Sequence, residues 1–120
     1  MSNTILIVDD SESIRSILKL TLKFKGYNVI EAENGLEAFE ILKKTQCDLV
    51  ITDIAMPTMT GIELLNKIRN ELKNDKIPII ICTAEKIGDE EELLRKGANK
   101  LLVKPFPPTE LLEVVQNLLK

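Results

Sequence analysis

Four short apolar segments of this chain each end in residues that can handle charge: Asp9-Asp10, Asp53, Thr83 and Lys104. Three carboxylates brought close together repel one another, which the fold tolerates only if some are protonated or a hard divalent cation sits between them. Magnesium is the natural solution. A carboxylate beside magnesium can attack a phosphoryl group and become an acyl phosphate, because the metal screens the incoming anion and the charge that develops in transfer. Asp53 is the best placed nucleophile. Lys104 can pair with a phosphoryl oxygen as a mobile point charge, and the Thr83 hydroxyl can donate to another. The chain has no histidine, so the commonest metal ligand and general base is missing, and any chemistry runs on carboxylates, hydroxyls and lysine.

Strand-like runs must bring these residues together. Residues 5–8 form a continuous aliphatic run that stops at Asp9-Asp10, and 27–31, 48–53, 77–83 and 100–104 repeat the design, as strands buried on both faces do. Helical patterns lie between them. Ile14, Ile17, Leu18 and Leu22 recur at three- and four-residue spacing before Gly26 offers a left-handed stop, with Lys23 and Lys25 in the last turn. Asn34 and Thr60 each precede a glutamate by three residues, Glu37 and Glu63, marking two helix starts. Their apolar faces are Ala38, Ile41 and Leu42, then Ile62, Leu65, Ile68 and Leu72. A fourth helix opens on the acids of 89–92 and ends near Gly97, with a thin apolar face. A fifth follows Pro107-Pro108 through Leu111, Leu112, Val115, Leu118 and Leu119. Five buried strands alternating with five helices imply right-handed crossovers and a doubly wound α/β sandwich, whose ligand site forms beyond the carboxyl ends of the strands.

Bulk properties exclude several classes. With 120 residues, 44% of them hydrophobic and 29% charged, the chain reads as one globular domain over 1–120 without an output domain. A net charge of -3 with scattered lysines leaves no electrostatic footprint for nucleic acid. Residues 1–8 are too short an apolar run for a signal peptide, so a cytoplasmic protein with no membrane partner is expected. Cys47 and Cys82 lack metal-type spacing and read as packed, reduced thiols.

Ile7-Val8-Asp9-Asp10, Thr52-Asp53-Ile54-Ala55-Met56-Pro57 with Gly61 following, Ile81-Cys82-Thr83-Ala84 and Val103-Lys104-Pro105-Phe106 together resemble the receiver domains of two-component response regulators, in their CheY-like single-domain form. The order, spacing and strand-end placement of these strings carry the resemblance across nearly the whole chain. It implies a flavodoxin-like (βα)5 sandwich with a parallel five-stranded sheet of order 2-1-3-4-5. It implies Asp53 as phosphoacceptor, with Asp10, Asp53 and the Ala55 carbonyl as ligands of Mg2+ and Asp9 setting the metal geometry. Thr83 would follow the phosphoryl group inward, Lys104 would hold it, and the Lys104-Pro105 bond would be cis. The donor would be a sensor histidine kinase or a histidine phosphotransfer protein, meeting a surface that includes Ser13, Ile14, Arg15, Leu18, Pro105 and Phe106. A downstream protein target would read the fourth helix, fifth strand and fifth helix. The chain would thus be a switch that assists its own phosphorylation and dephosphorylation rather than an enzyme acting on other substrates.

The pattern departs from the family in places. Leu101 stands where receivers commonly carry a switching tyrosine or phenylalanine, so an aromatic flip cannot be the readout, although Thr83 can still couple the site to the surface. Pro107 replaces a frequent Ser or Thr cap. Ala55 and Glu85 occupy positions that tune the access of water to the acyl phosphate. Competing readings are a receiver-like module that binds partners without phosphorylation and a magnesium-dependent aspartyl-phosphate phosphatase. The phosphatase reading is disfavoured because its two acids would stand two apart rather than adjacent. Flavin binding is disfavoured because the first loop is acidic where a phosphate cradle needs backbone amides.

Overall fold

The computed structural model describes residues 3–84 and 90–120. Strands and helices alternate throughout: β1 Thr4–Val8, α1 Glu12–Phe24, β2 Asn28–Ala32, α2 Gly35–Lys44, β3 Leu49–Asp53, α3 Gly61–Asn70, β4 Ile79–Thr83, α4 Glu90–Arg95, β5 Lys100–Val103 and α5 Pro108–Leu118. The strands form one parallel sheet of order β2-β1-β3-β4-β5. The expected flavodoxin-like sandwich is therefore present, with strand ends within two residues of their expected positions. Among the described residues no helix is long and apolar enough to cross a membrane.

Alternation along each strand divides the core in two. Leu6, Val8, Val50, Ile79, Ile81 and Leu101 face α2, α3 and α4, while Ile5, Ile7, Leu49, Ile51, Ile80, Cys82 and Leu102 face α1 and α5. Burial on both faces explains why β1, β3 and β4 read as aliphatic runs, whereas β2, expected to be buried on both faces, is an edge strand and only half-buried, with Asn28 exposed and Glu31 partly so.

Local signals set most helix ends. Ser11 caps α1 by accepting from the Ile14 N–H, and Gly26, at φ 90°, lets the chain leave the helix in the left-handed region. Asn34 caps α2 by accepting from the Glu37 N–H at 2.8 Å. Thr60 and Glu63 form a reciprocal capping box, at 3.1 Å and 3.0 Å, which starts α3 immediately after the loop that follows Asp53. Thr60→Ala should cost about 1 kcal/mol, read as a lower urea midpoint with unchanged slope. α5 starts at Pro107-Pro108 without a side-chain cap. Of the acids expected to open the fourth helix, Glu90, Glu91 and Glu92 lie in its first turn, whereas Asp89 falls outside the described residues.

Two expectations about helix faces need correction. Ile17 is 57% exposed rather than part of the core stripe of α1, because Arg15 joins Leu18 and Leu22 on the buried side and turns the helix accordingly. In α3 the fully buried set is Leu64, Leu65 and Ile68, with Ile62 and Leu72 only packed against it.

Candidate functional site

At the carboxyl ends of the strands, Asp9, Asp53 and Lys104 continue the side-chain rows of Ile7, Ile51 and Leu102, on the α1/α5 face of the sheet. Three separate strands thereby deliver their polar ends to one point. Carboxylate oxygens of Asp9, Asp10 and Asp53 all lie within 4.8 Å of one another. The Lys104 Nζ bridges two of these groups, at 3.1 Å from Asp9 Oδ2 and 3.4 Å from Asp53 Oδ2. The other oxygens are also engaged: Asp9 Oδ1 accepts from the Ser11 N–H at 2.9 Å, and Asp53 Oδ1 from the Ile54 N–H at 2.8 Å. Asp9 is buried, Asp53 half-buried and Asp10 exposed, so the cluster runs from the interior to solvent.

One ammonium among three carboxylates leaves a net negative pocket lined by hard oxygen donors. This donor set fits a divalent cation that favours oxygen, and the exposed Asp10 edge provides an entry path. For Lys104, burial favours the neutral amine, but the hydrogen bond and charge of Asp9, joined by Asp53, outweigh burial and hold its pKa above the ordinary value. The sheet register puts Cys82 directly beside Asp53, as the floor of the site. Burial pushes its thiol up to about 12, with Lys104 opposing and Asp53 and Asp9 adding to the rise.

Both shifts act in the same direction on stability. Cys82 titrates above its ordinary value of 9.0, so the unfolded chain sheds the thiol proton first and the native state loses stability as pH rises from 9 towards 12. The contribution of Lys104 is complete below its ordinary 10.5 and is lost as pH climbs through its raised folded value. The urea midpoint should therefore fall between pH 8 and pH 10. At pH 8, iodoacetamide should label Cys82 and the buried Cys47 only after unfolding.

Thr83 ends β4 and is 4% exposed, and its carbonyl accepts from the Lys104 N–H at 2.6 Å. By alternation it points to the opposite face from Asp53 and Lys104 and shares that face with Leu101, which is buried against the α2/α3/α4 side. Ala55 lies two residues beyond Asp53 in an exposed position, with Met56 buried behind it. The Lys104-Pro105 peptide is cis, as expected. Glu85 lies outside the described residues. Of the residues expected to meet a partner, Ser13 and Pro105 are exposed and Ile14 and Phe106 half-buried. Arg15 and Leu18 are buried, so these two side chains serve the interior rather than an open surface. Residue type alone does not mark Cys82 as a site neighbour: alternation sets it on the face opposite Thr83, and the register of β3 with β4 puts it beside Asp53.

A family model, the response regulator receiver domain, matches residues 5–116. A chemotaxis protein CheY homolog of Campylobacter jejuni is 42% identical over 120 residues, covering 96% of this chain and 91% of that one. Among solved structures, the chemotaxis response regulator CheY4 of Vibrio cholerae superposes with a TM-score of 0.90 at 36% identity, covering 98% of this chain and 99% of that one. The response regulator TrrA of Thermotoga maritima, solved in complex with Mg(2+)-BeF, gives 0.87 at 39% identity over 97% of this chain and 98% of that one. Sheet order, strand-end acids and likeness along nearly the whole length agree, and the chain belongs to the response regulator receiver domain family.

Proposed function

We propose that the chain is a phosphorylation switch in which Asp53 accepts a phosphoryl group from a phosphohistidine donor, with magnesium held by Asp9, Asp10, Asp53 and the Ala55 carbonyl. The carrying observation is the convergence of three carboxylates within 4.8 Å, with Lys104 bridging two of them. The magnesium and beryllofluoride complex of the Thermotoga maritima relative supports the same reading. When bound, magnesium supplies positive charge against the clustered acids and the phosphoryl oxygens.

The chain's own residues do the rest. The Ile54 N–H fixes one oxygen of Asp53 and leaves the other, now facing Lys104, as the attacking atom. An Asp53 oxygen forms the new bond to phosphorus as the phosphorus–nitrogen bond to the donor histidine breaks, and the electron pair leaves with the imidazole. Lys104 moves its charge from the carboxylates to a phosphoryl oxygen, a role suited to a compact ammonium on a flexible stem. The Thr83 hydroxyl, directed to the other face of the sheet at rest, turns towards the site to donate to another phosphoryl oxygen. Attack of water on phosphorus later restores the carboxylate and releases phosphate.

Thr83 and Leu101 share a face of adjoining strands, and Leu101 packs in the same cluster as Leu93 of α4 and Ala98. Movement of Thr83 towards a phosphoryl group would thus be felt by packing at the α4-β5-α5 surface, where a downstream protein reads it, with a buried leucine in place of an aromatic flip. A nuclear magnetic resonance titration with magnesium, then with magnesium and beryllofluoride, tests the proposal. Magnesium alone should shift the amides of residues 9–11 and 53–55, and beryllofluoride should extend the shifts to Leu101 and α4. Absence of any magnesium-dependent shift in the folded protein would reject it.

A further inference from the structure

We propose that Arg15 is a positioning residue for the acidic site: anchored by Glu31, its guanidinium fixes the main chain of Asp9 and so sets where the Asp9 and Asp10 carboxylates stand. The inference deepens the magnesium reading above and assigns an internal role to a residue whose sequence position suggested partner contact. Among the described residues Arg15 is the one buried cation, 8% exposed. A buried guanidinium is costly unless its charge is balanced and its donors are used. Both conditions are met. Its Nη1 donates to the Asp9 main-chain carbonyl at 2.7 Å, and its Nε donates to Glu31 Oε1 on β2 at 3.2 Å. The second oxygen of Glu31 accepts from Lys19 at 3.3 Å.

Asp9 is thereby held at both ends. Arg15 takes its carbonyl, while Ser11 and Lys104 take its carboxylate. This matters because β1 stops at Val8, so Asp9 and Asp10 lie beyond the strand, on a turn that must keep its shape against the repulsion of three acids. Arg15 steadies that turn through the Asp9 carbonyl. Because it binds a main-chain carbonyl, it does so without occupying a carboxylate oxygen needed for a cation. The planar fork of arginine reaches two acceptors in fixed directions, which a lysine ammonium on a flexible stem cannot reproduce.

The test uses the full chain with Arg15→Lys, Glu31→Gln and the double variant, reading magnesium affinity by calorimetry and amide hydrogen exchange in the metal-free protein. In Arg15→Lys the magnesium affinity should fall about 10-fold, as for loss of a group that orients a metal ligand. Exchange of the Ser11 amide, which reports the Asp9 carboxylate, should quicken while the Ile54 amide across the site keeps its rate. Global destabilisation would instead quicken both. Glu31→Gln should show a smaller loss, and the double variant should match Arg15→Lys alone, because both act through one network.

A folded Arg15→Lys with magnesium affinity and Ser11 exchange unchanged would overturn the inference. If that variant does not fold, Glu31→Gln decides by the same two readings. Should the native protein take up no magnesium, the metal reading fails, while Ser11 exchange still decides whether Arg15 places Asp9.

Discussion

Incubated with acetyl phosphate and magnesium, the native chain should gain one phosphoryl group by mass spectrometry, and Asp53→Asn should gain none. The expected loss is complete because no other carboxylate has the same surroundings. Asp9 and Asp53 have the same kinds of partner, a main-chain N–H on one oxygen and Lys104 on the other, but Asp9 is buried and Asp10 is exposed, whereas Asp53 is half-buried, open to a donor while still facing the ammonium that would receive the phosphoryl charge. Asparagine preserves the volume and can still accept from the Ile54 N–H. Removing one of three clustered negative charges relieves repulsion in the metal-free protein, so its thermal midpoint should hold or rise, by the equivalent of about 1 kcal/mol at most for partly exposed groups. The same variant should lose most of its magnesium affinity. Equal labelling of both proteins would reject the assignment of Asp53, and a stable but unlabelled variant separates lost chemistry from lost structure.

The second large effect is expected at Gly61. The chain leaves β3 at Asp53, doubles back through a tight turn with Thr58 at φ 73° and the Met59 N–H on the Pro57 carbonyl, and enters α3 with the Gly61 N–H on the Ile54 carbonyl at 2.9 Å. This return path presses Gly61 against the main chain of the site: a Cβ there would collide with the Asp53 carbonyl and crowd the Ile54 Cα. Both obstacles are backbone, so no side chain can yield. Gly61→Ala should cost about 3 kcal/mol or more, at the severe end of overpacking. By pushing Asp53 out of line it should also weaken magnesium binding in whatever fraction folds. Gly26→Ala is the contrasting control. Gly26 sits at φ 90° with open space around it, so alanine there pays only the conformational cost of a left-handed residue, about 1 kcal/mol. Urea titration of both variants distinguishes a glycine kept for room from one kept for backbone conformation. Similar losses at the two positions would refute the clash at Asp53.

Much of the fold could be read directly from residue types, for identifiable reasons. Strands buried on both faces carry no alternation to misread, and each breaks at a polar residue or a turn, which locates β1, β3 and β4 together with Asp9 just past β1 and Asp53 and Thr83 at the ends of β3 and β4. Ser11, Asn34 and Thr60 act through bonds to amides three residues on, so the helix starts they set are local events that a short window captures. Residue type and spacing mislead where a side chain's role depends on distant partners. Ile17 fits an apolar stripe by spacing, and Arg15 looks like a surface residue by type. Yet Glu31 and the Asp9 carbonyl draw Arg15 inward, and α1 turns Ile17, Leu20 and Phe24 to the outside.

Residue type and near-neighbour spacing are enough to set the alternation of strands and helices, the polar strand ends and the kind of chemistry they can support. It takes the folded chain to show that Lys104 reaches across to two carboxylates, that Cys82 lies beside Asp53, that Gly61 touches the site's main chain and that Arg15 supports it from within. Those relations join residues far apart along the chain, and crossover geometry and register, which no short stretch of residues encodes, bring them into contact.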